Sequence, residues 1–326
     1  MLPSPLPACG ERKKIEKAST SRRSRPLSRL HQTRYASRMA HPLSRIIDQL
    51  KREPSRTGSI VITVFGDAIV PRGGSVWLGT LLEFFESLDI DAGVVRTAMS
   101  RLAADGWLMR EKVGRNSFYR LADKGSQTFE AATRHIYDPP SSDWTGRFEL
   151  LLIGNGEDRD ASREALRNAG FGSPLPGVWV APSGVPVPDE AAGAIRLEVS
   201  AEDDSGRRLL SASWPLDRTA DAYLKFMKTF EPLHAAIGRG TTLSDADAFT
   251  ARILLIHHYR RVVLRDPLLP ESLLPADWPG RAARALCGEI YRALLAPSEQ
   301  WLDGHGTNEK GPLPAARKLL ERRFGA

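Results

Sequence analysis

Between Asp91 and Leu121 the chain carries six basic residues, Arg96, Arg101, Arg110, Lys112, Arg115 and Arg120, against Asp91, Asp105 and Glu111. Guanidinium and ammonium groups neutralise phosphate, and Arg, Thr and Ser side chains can also bond to base edges. Spacing decides whether these groups share a surface. Asp91 is a good N-cap, and after it Val95, Ala98, Met99 and Leu102 fall on one helical face at 100° per residue. Gly93, Thr97, Ser100 and Ala104 fall opposite, flanked by Arg96 and Arg101, so the outer face is small, polar and edged with positive charge. Gly106 ends the helix, Trp107 to Lys112 runs extended, Val113-Gly114-Arg115-Asn116 turns, and Ser117 to Leu121 returns as a second strand. A helix followed by a basic hairpin is the order of a winged helix. The predicted chemistry is duplex DNA binding, with Arg96, Thr97, Ser100 and Arg101 toward the major groove and Lys112, Arg115 and Asn116 toward backbone or minor groove. The competing reading is a protein-contact module whose charges are simply solvated.

Two further groups invite chemistry. Gly73-Gly74-Ser75 precedes Leu78, Leu81, Leu82 and Phe85 at helical spacing, so Ser75 is the expected N-cap and the free N–H groups are candidates to hold a DNA phosphate. The segment lacks the Walker pattern, and a plain interhelical turn explains it equally. In Arg252 to Arg265 the adjacent His257 and His258 point about 100° apart, and no Glu lies between histidines at i and i+4, which excludes a zinc-protease site. On a wheel His258, Arg261 and Arg265 lie on the polar side, whereas His257 and Arg260 sit within an apolar arc. A buried guanidinium needs a partner, either a carboxylate such as Asp266 or Asp277 or an anionic ligand. Cys9 and Cys287 stand alone, without metal-ligand spacing or a disulfide framework, and no cofactor is expected.

The elements that must position these residues imply a modular chain, since 326 residues suggest two or three domains. Residues 39–138 contain a short helix from Ser44 to Glu53, then an apolar run from Gly58 to Gly66 that periodicity assigns equally to a strand or a buried helix, and then the helix, helix, hairpin series. A Pro/Ser linker at Pro139 to Asp143 opens the second region, 139–215. Its expected strands are Arg147 to Ile153, Gly177 to Ala181 and Ala194 to Ser200, with a helix from Ser162 to Ala169. Helical periodicity dominates 216–326, at Asp217 to Phe230, Asp245 to Leu264 and Arg281 to Leu295. The net charge of +7 belongs to residues 1–38, where ten Lys or Arg face Glu11 and Glu16 for a local +8 that leaves the rest at −1. That tail is too poor in apolar residues to fold; it reads as an upstream mistranslated start before Met39, a basic DNA-touching arm or a targeting peptide. No apolar run approaches the roughly 20 residues of a membrane span and no secretory core is present, which predicts a cytoplasmic protein.

Several stretches carry a family resemblance: Val64-Phe-Gly-Asp-Ala-Ile-Val-Pro-Arg-Gly-Gly-Ser-Val-Trp-Leu-Gly79, Val95 to Trp107, Trp144-Thr-Gly-Arg147, Pro176-Gly-Val-Trp179, and Arg265-Asp-Pro-Leu-Leu-Pro-Glu-Ser-Leu-Leu-Pro-Ala-Asp-Trp-Pro-Gly280. Together they resemble the repressors of phenylacetic-acid degradation operons, the PaaX-like regulators, over about Met39 to Asp303. The resemblance implies an α+β architecture: an N-terminal winged helix-turn-helix, a central ferredoxin-like domain and a C-terminal helical domain. It makes the Ser59 to Ile69 run a helix. It further implies a homodimer on a pseudo-palindromic operator, released by an aryl-acyl-CoA such as phenylacetyl-CoA, and a regulator in place of an enzyme. Arg260, Arg261 and Arg265 are the candidate effector contacts, because CoA phosphates need guanidinium. The central region is also similar to small ferredoxin-like nucleases of CRISPR systems, but these place an acidic metal ligand where this chain has Gly154-Asn155-Gly156.

Overall fold

The computed structural model describes residues 57–138, 144–154, 159–200 and 204–325, preceded by the helical residues Leu43, Ser44, Ile46 and Ile47. The basic tail, the linker at Pro139 to Asp143 and most of the Ser44 to Glu53 helix lie outside the described residues. Helix α1 (Thr57–Val64) runs into one turn of π-helix, Phe65–Ile69, and a 3₁₀ turn, Val70–Arg72. Its β-branched residues favour a strand locally. They form a helix because Ile60, Val61, Val64, Phe65, Ala68 and Ile69 are all buried, and tertiary packing outweighs the small β preference.

Strand β1 (Ser75–Trp77) follows, then α2 (Leu78–Ser87), α3 (Ala92–Ala104), β2 (Leu108–Val113), β3 (Asn116–Leu121) and α4 (Asp123–Tyr137). The three strands form one antiparallel sheet in the order β1-β3-β2. The expectation that Ser75 caps a helix is corrected here. Ser75, Val76 and Trp77 pair with Arg120, Tyr119 and Phe118, so their backbone is committed to the sheet and the helix begins only at Leu78, after Trp77.

The next region holds β4 (Arg147–Leu152), α5 (Arg159–Asn168), β5 (Gly172–Leu175), β6 (Val178–Pro182), β7 (Ile195–Ser200) and α6 (Asp204–Ser213). Its antiparallel sheet has the order β5-β6-β4-β7, a split β-α-β arrangement in which a 3₁₀ turn at Asp189–Ala191 replaces a second crossover helix. Phe148, Val180, Leu210 and Trp214 pack one face, and Leu151, Leu166, Phe171 and Trp179 the other. The remainder is helical: α7 (Leu216–Gly238), α8 (Asp245–Val263) and α9 (Pro279–His305), then β8 (Thr307–Asn308), β9 (Gly311–Pro312) and the short α10 (Arg317–Leu320). Antiparallel sheets with helices segregated around them make the chain α+β.

All described residues belong to one unit, His41–Ala326. Within it, Ile60, Phe65, Phe85 and Met99 share a single hydrophobic core with Phe230, Phe249, Ile256, Tyr291 and Leu302. The amino-terminal helices and the carboxy-terminal helices thus bury each other's apolar faces.

Candidate nucleic-acid interface

Asp91 caps α3 as expected, its side chain accepting from Gly93 N at 2.6 Å. Val95 and Met99 are fully buried and Leu102 packs beside them, which fixes the helix's rotation. Arg96, Thr97, Ser100 and Arg101 therefore all stand exposed on the outer surface. Thr97 Oγ1 donates back to Gly93 O at 2.9 Å, leaving its lone pairs outward. Val94 is also turned out, with half its surface exposed, an apolar contact that the sequence pattern did not single out.

The end of α3 is geometrically defined. Gly106 N bonds Ala103 O at 3.1 Å and Trp107 N bonds Leu102 O at 2.9 Å, with Gly106 at φ +73°, which is a Schellman motif. Strands β2 and β3 then pair from Leu108↔Leu121 to Val113↔Asn116 around the two-residue turn Gly114-Arg115. Gly114, at φ +60°, takes the first central position, where a tight hairpin turn requires a left-handed residue. Lys112, Arg115 and Asn116 are exposed at this tip. The helix face and the hairpin tip thus leave one short connection, Asp105-Gly106-Trp107. Among the described residues no carboxylate pairs with Arg96, Arg101, Lys112 or Arg115.

Ser75 does not join this surface. It is buried, and its Oγ donates to Glu309 Oε2 at 2.6 Å, a bond that holds the Glu309 carboxyl below its ordinary pKa. No helix starts at Gly73-Gly74, and Gly74 N already bonds Ile69 O at 2.9 Å, so the phosphate-holding reading of this turn falls away.

The three candidate effector arginines do not converge. Arg261 and Arg265 are exposed and line an open groove between α7 and α8 with Lys225 and His258. Arg260 lies on the opposite side of α8, at a largely apolar pocket walled by Ile62, Trp107, Phe129, Ile136, Ile256 and Leu264 together with Asp67 and Tyr137. The carboxylate partner expected for it is absent among the described residues. Arg260 Nη2 donates to Ser59 O at 3.1 Å and Ser59 Oγ at 2.9 Å, its Nε is buried without a partner, and burial lowers its pKa. Asp266 instead accepts from Tyr223 OH at 2.7 Å. His257 is buried against Thr63 Oγ1 at 3.1 Å, and burial depresses its pKa to about 2, so it is a neutral core histidine.

Sequence reasoning missed a buried ionic cluster where the two helical regions meet. Arg252, wholly buried, forms an ion pair with Asp67, Nε to Oδ2 at 2.7 Å, and donates from Nη1 to Glu299 Oε1 at 2.6 Å. Arg72 reaches Glu299 Oε2 at 2.9 Å and also Asp303, and Arg323 reaches Asp67 Oδ1 at 2.7 Å. Tyr137 OH donates to the same carboxylate at 2.6 Å. A signal was available: Asp67 and Arg252 each interrupt an otherwise apolar helical run.

Comparison with known proteins adds the lineage. The PaaX-like protein model matches residues 56–125, and the PaaX-like protein C-terminal domain model matches residues 214–304. The transcriptional repressor PaaX of Escherichia coli (strain K12) is 34% identical over 283 residues, covering 82% of this chain and 89% of that protein. The chain belongs to the PaaX-like family. The uncharacterized protein Rv0674 from Mycobacterium tuberculosis is similar in structure with a TM-score of 0.48 at 24% identity, over 68% of this chain and 89% of that one. In this PaaX-like chain the exposed face of α3 and the hairpin tip both fall within the first match, and Arg260, Arg261 and Arg265 within the second. The relative from Escherichia coli is a transcriptional regulator, in line with a non-enzymatic role. Among the described residues no helix is long and apolar enough to cross a membrane.

Proposed function

We propose that this chain is a DNA-binding transcriptional repressor whose residues 39–138 act as a winged helix-turn-helix, with α3 as the recognition helix and the β2–β3 hairpin as the wing. The observation that carries this reading is the shared exposure of Arg96, Thr97, Ser100 and Arg101 on α3 beside Lys112, Arg115 and Asn116 at the hairpin tip. A helix of this width fits a major groove. Small residues let it approach, and guanidinium groups at its flanks and on the wing meet phosphates and base edges. Exposed Val94 adds an apolar surface suited to a thymine methyl group. Residues 139–215 form a ferredoxin-like domain in this proposal, supported by the β5-β6-β4-β7 strand order, and residues 216–326 a helical domain.

The similarity to the transcriptional repressor PaaX of Escherichia coli supports the regulatory role. The proposal extends to a cytoplasmic homodimer on a pseudo-palindromic operator, released by an aryl-acyl-CoA of the phenylacetyl type. Arg260 on one side of α8, and Arg261 with Arg265 on the other, are alternative contacts for that effector, since one ligand does not reach both pockets through the helix.

The test compares operator and random DNA. Arg96→Ala and Thr97→Ala are expected to weaken operator binding more, by about 1–3 kcal/mol of lost discrimination, while Arg115→Ala weakens both similarly and lowers the salt slope by about one. Equal losses on both DNAs for all three variants refute α3 as the recognition helix.

A further inference from the structure

The Pro-rich stretch from Asp266 to Gly280 enters no part of the proposed DNA surface. It walls a pocket instead, whose lining also takes His135 from α4, Tyr223 from α7, Tyr259 from α8 and Trp278 at the N-cap of α9. On its other side the same stretch is fastened to the central sheet, where Leu269 and Leu273 pack with Phe148 and Val180.

Inside the pocket two acceptors lack the group they would normally meet. Asp266 is only 6% exposed, and no Lys or Arg pairs with it among the described residues. Its Oδ2 accepts from Tyr223 OH at 2.7 Å and its Oδ1 from Leu268 N at 2.9 Å. Leu268 stands at φ +48° beside that bond, a conformation disfavoured for a residue with a side chain and kept only where the surroundings impose it. Burial raises the Asp266 pKa, as expected for a carboxylate without a counter-ion. His135 Nε2 is buried with no hydrogen-bond partner among the described residues. Burial also lowers the pKa of this imidazole, so the ring is neutral. Backbone hydrogen bonding to Val263 and Asp266 takes its other nitrogen, which leaves a lone pair at Nε2.

We infer that this pocket is a binding site for a small organic amine, with the ammonium between Asp266 and His135 Nε2 and the apolar body against Tyr223, Tyr259 and Trp278. Two acceptors require a ligand that brings donors, and a positive charge supplies the counter-ion that Asp266 lacks. Aromatic faces attract the same cation. Gly280 lets the indole lie close, since a Cβ there would be 2.6 Å from Trp278 Nε1 and 3.2 Å from Tyr223 Cε2. The Tyr223 and Trp278 rings then meet edge to face, with centroids 6.2 Å apart. The two guanidinium groups of the lining are committed elsewhere: Arg281 meets both Glu271 oxygens at 3.1 and 2.8 Å, and Arg284 donates to Ile136 O and Tyr137 O. Asp138, exposed in the same lining, adds negative charge. This site goes beyond the repressor reading and needs no part of it.

The experiment titrates the full chain calorimetrically with benzylamine, its neutral counterpart benzyl alcohol and the anion benzoate. Benzylamine is expected to bind and to raise the melting temperature, benzyl alcohol to bind at least ten-fold more weakly, and benzoate not to bind. Asp266→Asn keeps the shape of the side chain and is expected to weaken benzylamine at least ten-fold while leaving benzyl alcohol within two-fold. Trp278→Leu removes an aromatic face at a partly exposed position and is expected to weaken benzylamine several-fold, which gives a second reading should the Asn variant melt early. Arg281→Gln is expected to bind benzylamine at least as tightly as the wild type does, because Glu271 loses its partner. No saturable benzylamine binding at millimolar concentration overturns the inference. So does benzoate or benzyl alcohol binding as tightly as benzylamine, or an unchanged benzylamine affinity in the folded Asp266 and Trp278 variants. Operator binding by the ligand-free chain is measured separately, so a failure here leaves the repressor reading standing.

Discussion

Replacing Asp67 by Asn removes one charge at the centre of the molecule while keeping the side chain's shape. The carboxylate receives Arg252 at 2.7 Å, Arg323 at 2.7 Å and Tyr137 OH at 2.6 Å, and its solvent exposure is nil. Three buried guanidinium groups, Arg72, Arg252 and Arg323, then face Glu299 as the only remaining buried carboxylate of the cluster, since Asp303 is largely exposed. Breaking a buried pair from one side costs about 3–5 kcal/mol. At about 2–4 °C per kcal/mol for a domain-sized cooperative unit, the melting temperature should fall by roughly 6–20 °C. Scanning calorimetry with circular dichroism measures this. Pairing Asp67→Asn with Arg252→Met should recover part of the loss, because the uncompensated cation goes too. A melting temperature within about 2 °C of wild type, or a double variant no better than the single, would refute the view that this cluster joins the two helical regions.

Other expected outcomes follow from single residues. His257 has a folded pKa of about 2 against 6.5 for the free side chain, so its stabilising contribution is complete above pH 6.5 and is lost as pH falls below it. By pH 5 the loss is about 2 kcal/mol, and His257→Gln should flatten that part of the stability profile; an unchanged slope in denaturant titrations would count against it. Gly106→Ala places a side chain at φ +73° with open space around it, so the penalty is purely conformational, about 1–2 kcal/mol, and operator affinity should fall more than thermal stability because Trp107 shifts. In a Cys9→Ser background, Cys287 should resist thiol reagents until the chain unfolds, since burial raises its pKa and blocks access; rapid native-state labelling would contradict this. Deleting residues 1–38 should leave the melt intact and reduce only salt-sensitive binding to random DNA, and a lost melting transition would show that the tail is structural.

The sequence by itself determined the local geometry of the proposed DNA surface. Asp91 as cap, Val95 and Met99 inward, Gly106 as stop and Gly114-Arg115 as turn are all short-range choices, set by capping, periodicity and backbone freedom within a few residues. The inward His257 and outward Arg261 were legible for the same reason, because a helical wheel needs only 3.6 residues per turn. Long-range pairing was not legible. Ser75 satisfies the local rule for an N-cap, and only the β3 strand, more than forty residues on, draws it into a sheet. Arg260 was expected to meet Asp266 or Asp277, but tertiary packing brings α1 against α8 and gives it Ser59. Periodicity marked which residues are apolar without saying which partner covers them. Three sequence regions therefore suggested separate cores, whereas packing merged the first and last around Asp67, Arg252 and Glu299. That choice is made by complementary charges and surfaces nearly two hundred residues apart in sequence, and no local pattern encodes it.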